Sequence, residues 1–270
     1  MIEMIIEWNT HIFSPDLQRY PFHPRAAYHP DLSQKSVDPL QDYLDHMEQE
    51  GIDRSVLVHP EPYGDDHRLI LDCLSQEKER FRGTCLFYPQ DANAPSKLTA
   101  LVAQLPQIVA LRFHAHRGKE TYLNSFADVG VRNLWKKALE LKLIIELHIG
   151  PNYALQIAEV LDNYPESTVL IDHLAEPHMG DTVEYAHVLD LANFEKVYMK
   201  LSGLNHFAQD APFYLSTRPF TAKVIEAFGP GRMVWGGGSH QIVDAHMNDF
   251  STIDKLKVKG ENLVELLDFS

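Results

Sequence analysis

The chain has 270 residues, 44% of them hydrophobic and 23% charged, with a formal net charge of −14. This is the composition of a soluble globular protein; the negative charge argues against nucleic acid and anionic membrane as partners, and no apolar run reaches the roughly 18 residues of a membrane helix. Cys73 and Cys85, the only cysteines, give neither a disulfide framework nor a zinc-knuckle spacing. The segment from Met1 to Phe13 lacks the basic start and small-residue cleavage site of a signal peptide, so a cytoplasmic location is expected.

In chain order, short apolar runs predict strands at Met4–Trp8, Ser55–His59, Gly83–Tyr88, Val109–His114, Leu143–Ile149, Val169–Leu174, Val197–Leu201 and Arg232–Trp235. Amphipathic stretches lie between them. VDPLQDYLDHMEQEG, ending at Gly51, places Leu40, Tyr43, Leu44 and Met47 on one helix face. VRNLWKKALELK places Leu134, Ala138 and Leu141 together, and NYALQIAEVLDNYP places Leu155, Ala158 and Leu161 together with Pro165 just beyond. Eight strand–helix units in this length predict an α/β fold, a single (β/α)8 TIM barrel spanning residues 1–270 as one domain. A doubly wound open sheet is the competitor, but no G-x-G-x-x-G follows the first strand. The Pro-rich segment Ser14–Gln34 reads as a long loop on the catalytic face.

In such a barrel the active site lies at the carboxyl ends of the strands. There the sequence puts Asn9 and His11, then His59, then Arg112, His114 and His116, then Glu146 and His148, then Asp172 and His173, then Lys200 and Ser202. Period-2 alternation sets Asn9 with His11, Arg112 with His114, and Glu146 with His148 on common faces. One such histidine is most simply a hydrogen-bonded structural residue. Five strand ends carrying a histidine on one rim, with 15 histidines in the chain, exceed what packing explains, because every buried imidazole needs partners. Arg112 on an inward position suits a carboxylate, with His114, His116 and Arg117 extending the positive patch and Arg19 and Arg25 of the first loop adding to it. The alternative for Arg112 is a buried ion pair with Glu146 or Asp172. Tyr63, with Lys200 and Ser202, is expected in the pocket walls.

The segments NTHIFSPDLQRYPF, GIDRSVLVHPEPYG, ALRFH, VLIDHLAEP, MKLSGL, RMVWGGGSH and GENLVELLDF, taken in order, resemble the amidohydrolase superfamily. The likeness is to its amidohydrolase-related (amidohydrolase 2) branch, which includes 2-pyrone-4,6-dicarboxylate lactonase and sugar-lactone lactonases. The resemblance implies a His-x-His pair after the first strand, which falls on Asn9 and His11. It implies single histidines after the fifth and sixth strands, at His148 and His173. It implies an aspartate after the eighth, and this position holds Gly238. It therefore implies His11, His148 and His173 as catalytic groups; His240, two residues past Gly238, is the nearest imidazole to stand in for the lost carboxylate, with Asp244 and His246 further along the same loop. Arg112, His114, Tyr63, Asn9, Arg117 and Ser202 are the expected substrate-binding residues. His240 as a solvated loop residue is the competing reading. The cofactor expectation is none tightly bound, or one divalent metal, zinc by preference, on His11, His148 and His173; asparagine at position 9 weakens the metal reading. The activity implied is a hydrolase opening a lactone or similar cyclic ester that carries a carboxylate, with an isomerase or decarboxylase on a similar acid, or a non-catalytic binding homologue, as alternatives. Its partners would be a small anionic substrate and further copies of the chain in a homo-oligomer. Gly236, Gly237 and Gly238 are expected to leave space for substrate or water, faced by His240.

Overall fold

The computed structural model describes residues 4–115, 122–267 and 269. Eight parallel strands pair in sequential order: β1 (Ile6–Thr10), β2 (Arg54–Leu57), β3 (Phe81–Cys85), β4 (Ile108–Ala115), β5 (Ile144–Ile149), β6 (Val169–Ile171), β7 (Val197–Leu201) and β8 (Met233–Trp235). Helices lie between them: α1 (Pro39–Glu50), α2 (Arg68–Gln76), α3 (Ala94–Gln104), α4 (Val129–Glu140), α5 (Ala154–Asn163), α6 (Thr182–Asp190) and α7 (Arg218–Phe228). Three short helices, α8 (Gln241–His246), α9 (Thr252–Leu256) and α10 (Asn262–Leu267), finish the described chain. The sheet curls into a nearly closed (β/α)8 barrel in which β8 returns to β1. The two meet so tightly that a Cβ on Gly236 would lie 2.1 Å from the carbonyl oxygen of Trp8.

Alternation along the strands builds the barrel interior in layers. Ile6, Trp8, Val56, Val58, Ala110, Ile144, Leu170 and Val234 form the apolar floor, closed from below by Leu263, Leu267 and Phe269. Two residues further along, Ala110 is followed by Arg112 and then His114, and Ile144 by Glu146 and then His148. Arg112 lies beside Glu146, and His114 beside His148, in the β4–β5 register. Leu170 leads to Asp172, and Tyr198 to Lys200. An ionic layer therefore sits on the apolar floor, with a histidine layer above it. The outer face of the barrel and the inner faces of the helices form the second, larger core.

Two local readings change. β1 carries a register shift between Trp8 and Thr10, so strict alternation fails there and neighbouring residues can both turn inward. In α5 the buried face is Ala154, Ile157, Val160 and Leu161, while Leu155 is 61% exposed; the stripe is rotated relative to the predicted Leu155–Ala158–Leu161 set because Ile157 and Val160 carry the larger apolar area. α1 follows its prediction, with Asp38 capping its start and Gly51 closing it in the left-handed conformation.

Candidate active site

Beneath the strand ends, four charged side chains are shut inside the barrel. Arg112 donates to Asp172 Oδ2 from Nε (3.1 Å) and Nη2 (2.8 Å). Lys200, with no exposed surface, reaches Glu146 Oε1 at 2.8 Å and Asp172 Oδ1 at 2.6 Å. Trp8 Nε1 also donates to Glu146 Oε1 (2.8 Å). Buried ions persist only when paired in this way. Burial alone would raise the Asp172 pKa, but Lys200 and Arg112 outweigh it and hold that carboxyl well below its usual range. Glu146 has less compensation, and burial together with the Asp172 charge pushes it up to about 7.

The histidines stand on this layer. His11 donates from Nδ1 to the Val58 carbonyl (2.9 Å); a carbonyl only accepts, so the Nε2 lone pair is left bare. Burial, followed by the Arg112 charge, lowers the His11 pKa to about 3 and keeps the ring neutral. His173 Nδ1 meets Ser202 Oγ at 2.8 Å, and burial drives its pKa well below the ordinary value. His148 Nδ1 lies 3.2 Å from Arg112 Nη2, and its Nε2 lies 2.8 Å from Glu176 Oε1. His206 Nδ1 lies 2.9 Å from Glu176 Oε2, a hydrogen bond that raises its pKa. Rings of His114, His148, His173 and His206 follow one another edge to face, with centroids 4.5, 5.1 and 5.1 Å apart.

Glu176 reaches this cluster through an unusual turn. After the three residues of β6, His173, Leu174, Ala175 and Glu176 have φ of 51°, 55°, 57° and 47°. Four consecutive left-handed non-glycine residues cost about 1–2 kcal/mol each. Such strain is retained where it places functional groups; here it presents the His173 ring and the Glu176 carboxylate to one space.

A cavity of about 300 Å³ is lined by Asn9, His11, Tyr28, Glu61, Arg112, His114, His148, His173 and His206. A larger one, about 800 Å³, opens between α6 and α7 on a mainly apolar surface that includes Tyr185, Leu189, Phe207 and Phe220. The smaller cavity holds the convergent titratable groups and is the candidate active site.

Of the expected residues, Asn9, His11, Arg112, His114, His148 and His173 line that cavity. Ser202 lies behind His173 and orients it, and Lys200 lies below the cavity in the ionic layer. Tyr63 is outside the lining: it is 1% exposed, accepts the Ser14 N–H, and packs among Phe13, Phe22 and His59. His240 does not face the cavity either; its ring meets Trp235 edge to face at 6.1 Å, because the glycine turn directs the chain away into α8. Arg19 pairs with Asp72, and Arg25 lies over the Tyr88 ring, so neither joins a clamp. His116 and Arg117 lie outside the described residues. Asp244 pairs with Lys259, and His246 bonds Thr221 and the Phe213 carbonyl. Sequence reasoning missed Tyr28, Glu61, Glu176 and His206. Glu176 stands three residues after His173 in VLIDHLAEP, a spacing that suggests a helix rather than the left-handed turn that brings both inward.

The expected metal set also changes. Among the described residues, the group whose ligand atoms all lie within 4.8 Å of one another is His148, His173 and Glu176; His11 belongs to the same cavity but not to that group. The donor types suit zinc. The hydrogen bonds of His148, one to Arg112 and one to Glu176, do not suit it.

A parallel (β/α)8 barrel with histidines, a guanidinium and carboxylates gathered above its strands has the layout of a barrel enzyme. Residues 7–246 match the Amidohydrolase family model, and the chain belongs to that family. It is 26% identical over 268 residues to a 4-sulfomuconolactone hydrolase of Hydrogenophaga intermedia, covering 97% of this chain and 82% of that one. It superposes with a TM-score of 0.80, at 21% identity and over 98% of this chain and 99% of the other, on a probable 2-pyrone-4,6-dicarboxylic acid hydrolase of Acinetobacter baumannii with citric acid bound. An amidohydrolase of Burkholderia multivorans with bound zinc superposes with a TM-score of 0.73 at 14% identity, over 98% of this chain and 99% of that chain.

Proposed function

We propose that this protein is a lactone hydrolase that opens a small cyclic ester carrying a carboxylate or similar anionic group. The observation that carries the reading is the pairing, in one cavity of about 300 Å³, of a bare imidazole nitrogen on His11 with the cationic Arg112. His206, whose pKa Glu176 raises, adds positive character at the mouth. The relatives named above, one a lactone hydrolase and one with citric acid bound, support the same substrate class.

In this reading Arg112, His206 and His114 hold the anionic substrate, and Asn9 helps to place it. Water attacks the acyl carbon. His11 Nε2 takes the water proton and returns it to the ring oxygen as the acyl–oxygen bond breaks, leaving a hydroxy acid. The His11–Val58 bond fixes the tautomer this requires. His173, held by Ser202, and His148, held by Arg112, frame the carbonyl. This assigns to His11 the role first expected of His240.

Lactone opening releases a proton near neutral pH, so titration at constant pH reads it directly. A panel of carboxylate-bearing lactones and their neutral methyl esters is expected to give turnover of the anionic members. Turnover confined to the neutral esters, or absent throughout, would overturn the proposal.

A further inference from the structure

We infer that Arg112 keeps divalent metal out of the His148–His173–Glu176 cluster by fixing the ring proton of His148 on Nε2. The inference goes beyond the lactone reading and does not depend on it.

A guanidinium has five N–H donors and no acceptor. Its Nη2 lies 3.2 Å from His148 Nδ1 in hydrogen-bonding geometry, so Nδ1 is the acceptor and carries no proton. A neutral imidazole then has its proton on Nε2, and Nε2 lies 2.8 Å from the Glu176 carboxylate, which accepts it. Both lone-pair positions of His148 are thereby taken: one receives an arginine N–H, and the other is an N–H itself. A metal needs a bare imidazole nitrogen. To free Nε2, the proton must move to Nδ1, where it would point at a guanidinium N–H.

A ligating histidine ordinarily donates its second ring N–H to a carboxylate or carbonyl. His11 has that arrangement, with Val58 O as its acceptor. His173 is compatible with it, because the Ser202 hydroxyl can accept. Only His148 is reversed. Arg112 itself has little freedom to turn away. It is 2% exposed, and its Nε and Nη2 are both bound to Asp172. The three candidate ligands lie close enough for a metal ion, and the group that opposes zinc is a single buried arginine.

The test is zinc binding to the purified full-length protein, measured by competition with a chromophoric chelator and by elemental analysis. Arg112→Met is expected to tighten zinc binding about tenfold or more, the scale on which partners of a ligand imidazole alter affinity. Adding His148→Ala to Arg112→Met should remove the gain. Because Arg112→Met leaves Asp172 with only Lys200 of its two cationic partners, Arg112→Met/Asp172→Asn is the second variant, with the same expectation. Ring-nitrogen NMR on the wild type, assigned through His148→Gln, needs no arginine variant and should find the Nε2–H form of His148. Stoichiometric zinc in the wild type as tight as in the variants would overturn the inference. So would a gain that survives loss of His148, or an Nδ1–H signal.

Discussion

Gly236 and Gly238 stand two positions apart and serve different ends. At Gly236 a Cβ would come within 2.1 Å of the Trp8 carbonyl, across the seam where β8 meets β1. At Gly238 it would meet nothing within 4 Å, and the constraint is a φ of +72°. Gly236→Ala is therefore expected to destabilise by about 2–3 kcal/mol, since backbone cannot yield to an added methyl. Gly238→Ala should cost about 1 kcal/mol, the left-handed penalty alone. Urea midpoints of the two variants check the order; an equal or reversed cost would mean the seam is looser than described. The sequence suggested that these glycines leave space for substrate or water, but what approaches Gly236 is the carbonyl of a residue more than two hundred positions away, and nothing local announces it. Arg112 is a similar case. Its inward direction follows from period-2 alternation, whereas its choice of Asp172 and His148 depends on strand register, which fixes neighbours only once the sheet exists.

Strands were the most legible elements, because parallel strands covered on both faces read as apolar runs; all eight predicted runs overlap observed strands. Their last residues were legible as site candidates for the same reason. The irregular pieces were not. The shift in β1 lets the neighbours Trp8 and Asn9 both face inward, against strict alternation, while Asn9 and His11 share the cavity as their spacing suggested. The left-handed run from His173 to Glu176 has no glycine to signal it, and it delivers the carboxylate that joins His148 to His206. Tyr28 enters from the Pro-rich first loop, whose place on the catalytic face was readable but whose contacts were not.

Across the whole molecule, the barrel buries neutral imidazoles above a layer of paired charges, and this ties stability to pH. His11 and His59, with burial as the first cause, titrate at about 3 and about 4 in the fold against 6.5 unfolded, and His67 is also held well below 6.5. Between those values and 6.5 the unfolded chain binds more protons, so stability is present above 6.5 and is lost as pH falls toward 4. Glu146, raised to about 7, works the other way, as do Glu7 and His206 with their raised pKa values, but His173 and His246 are lowered along with the three histidines above, so it is three groups against five. The urea midpoint is expected to be lower at pH 4.5 than at pH 7; a higher one would place the histidines in a more solvated setting than the structure gives them.

In the proposed lactone opening, His11 is the proton acceptor. The direct measurement is kcat and KM of the wild type and His11→Gln on the best anionic lactone, followed by proton release at constant pH. Glutamine keeps a polar amide near the Nε2 position of the ring but cannot take the water proton. The predicted result is a fall in kcat of about 10²-fold or more with KM little changed. Turnover by His11→Gln at the wild-type rate would contradict the account.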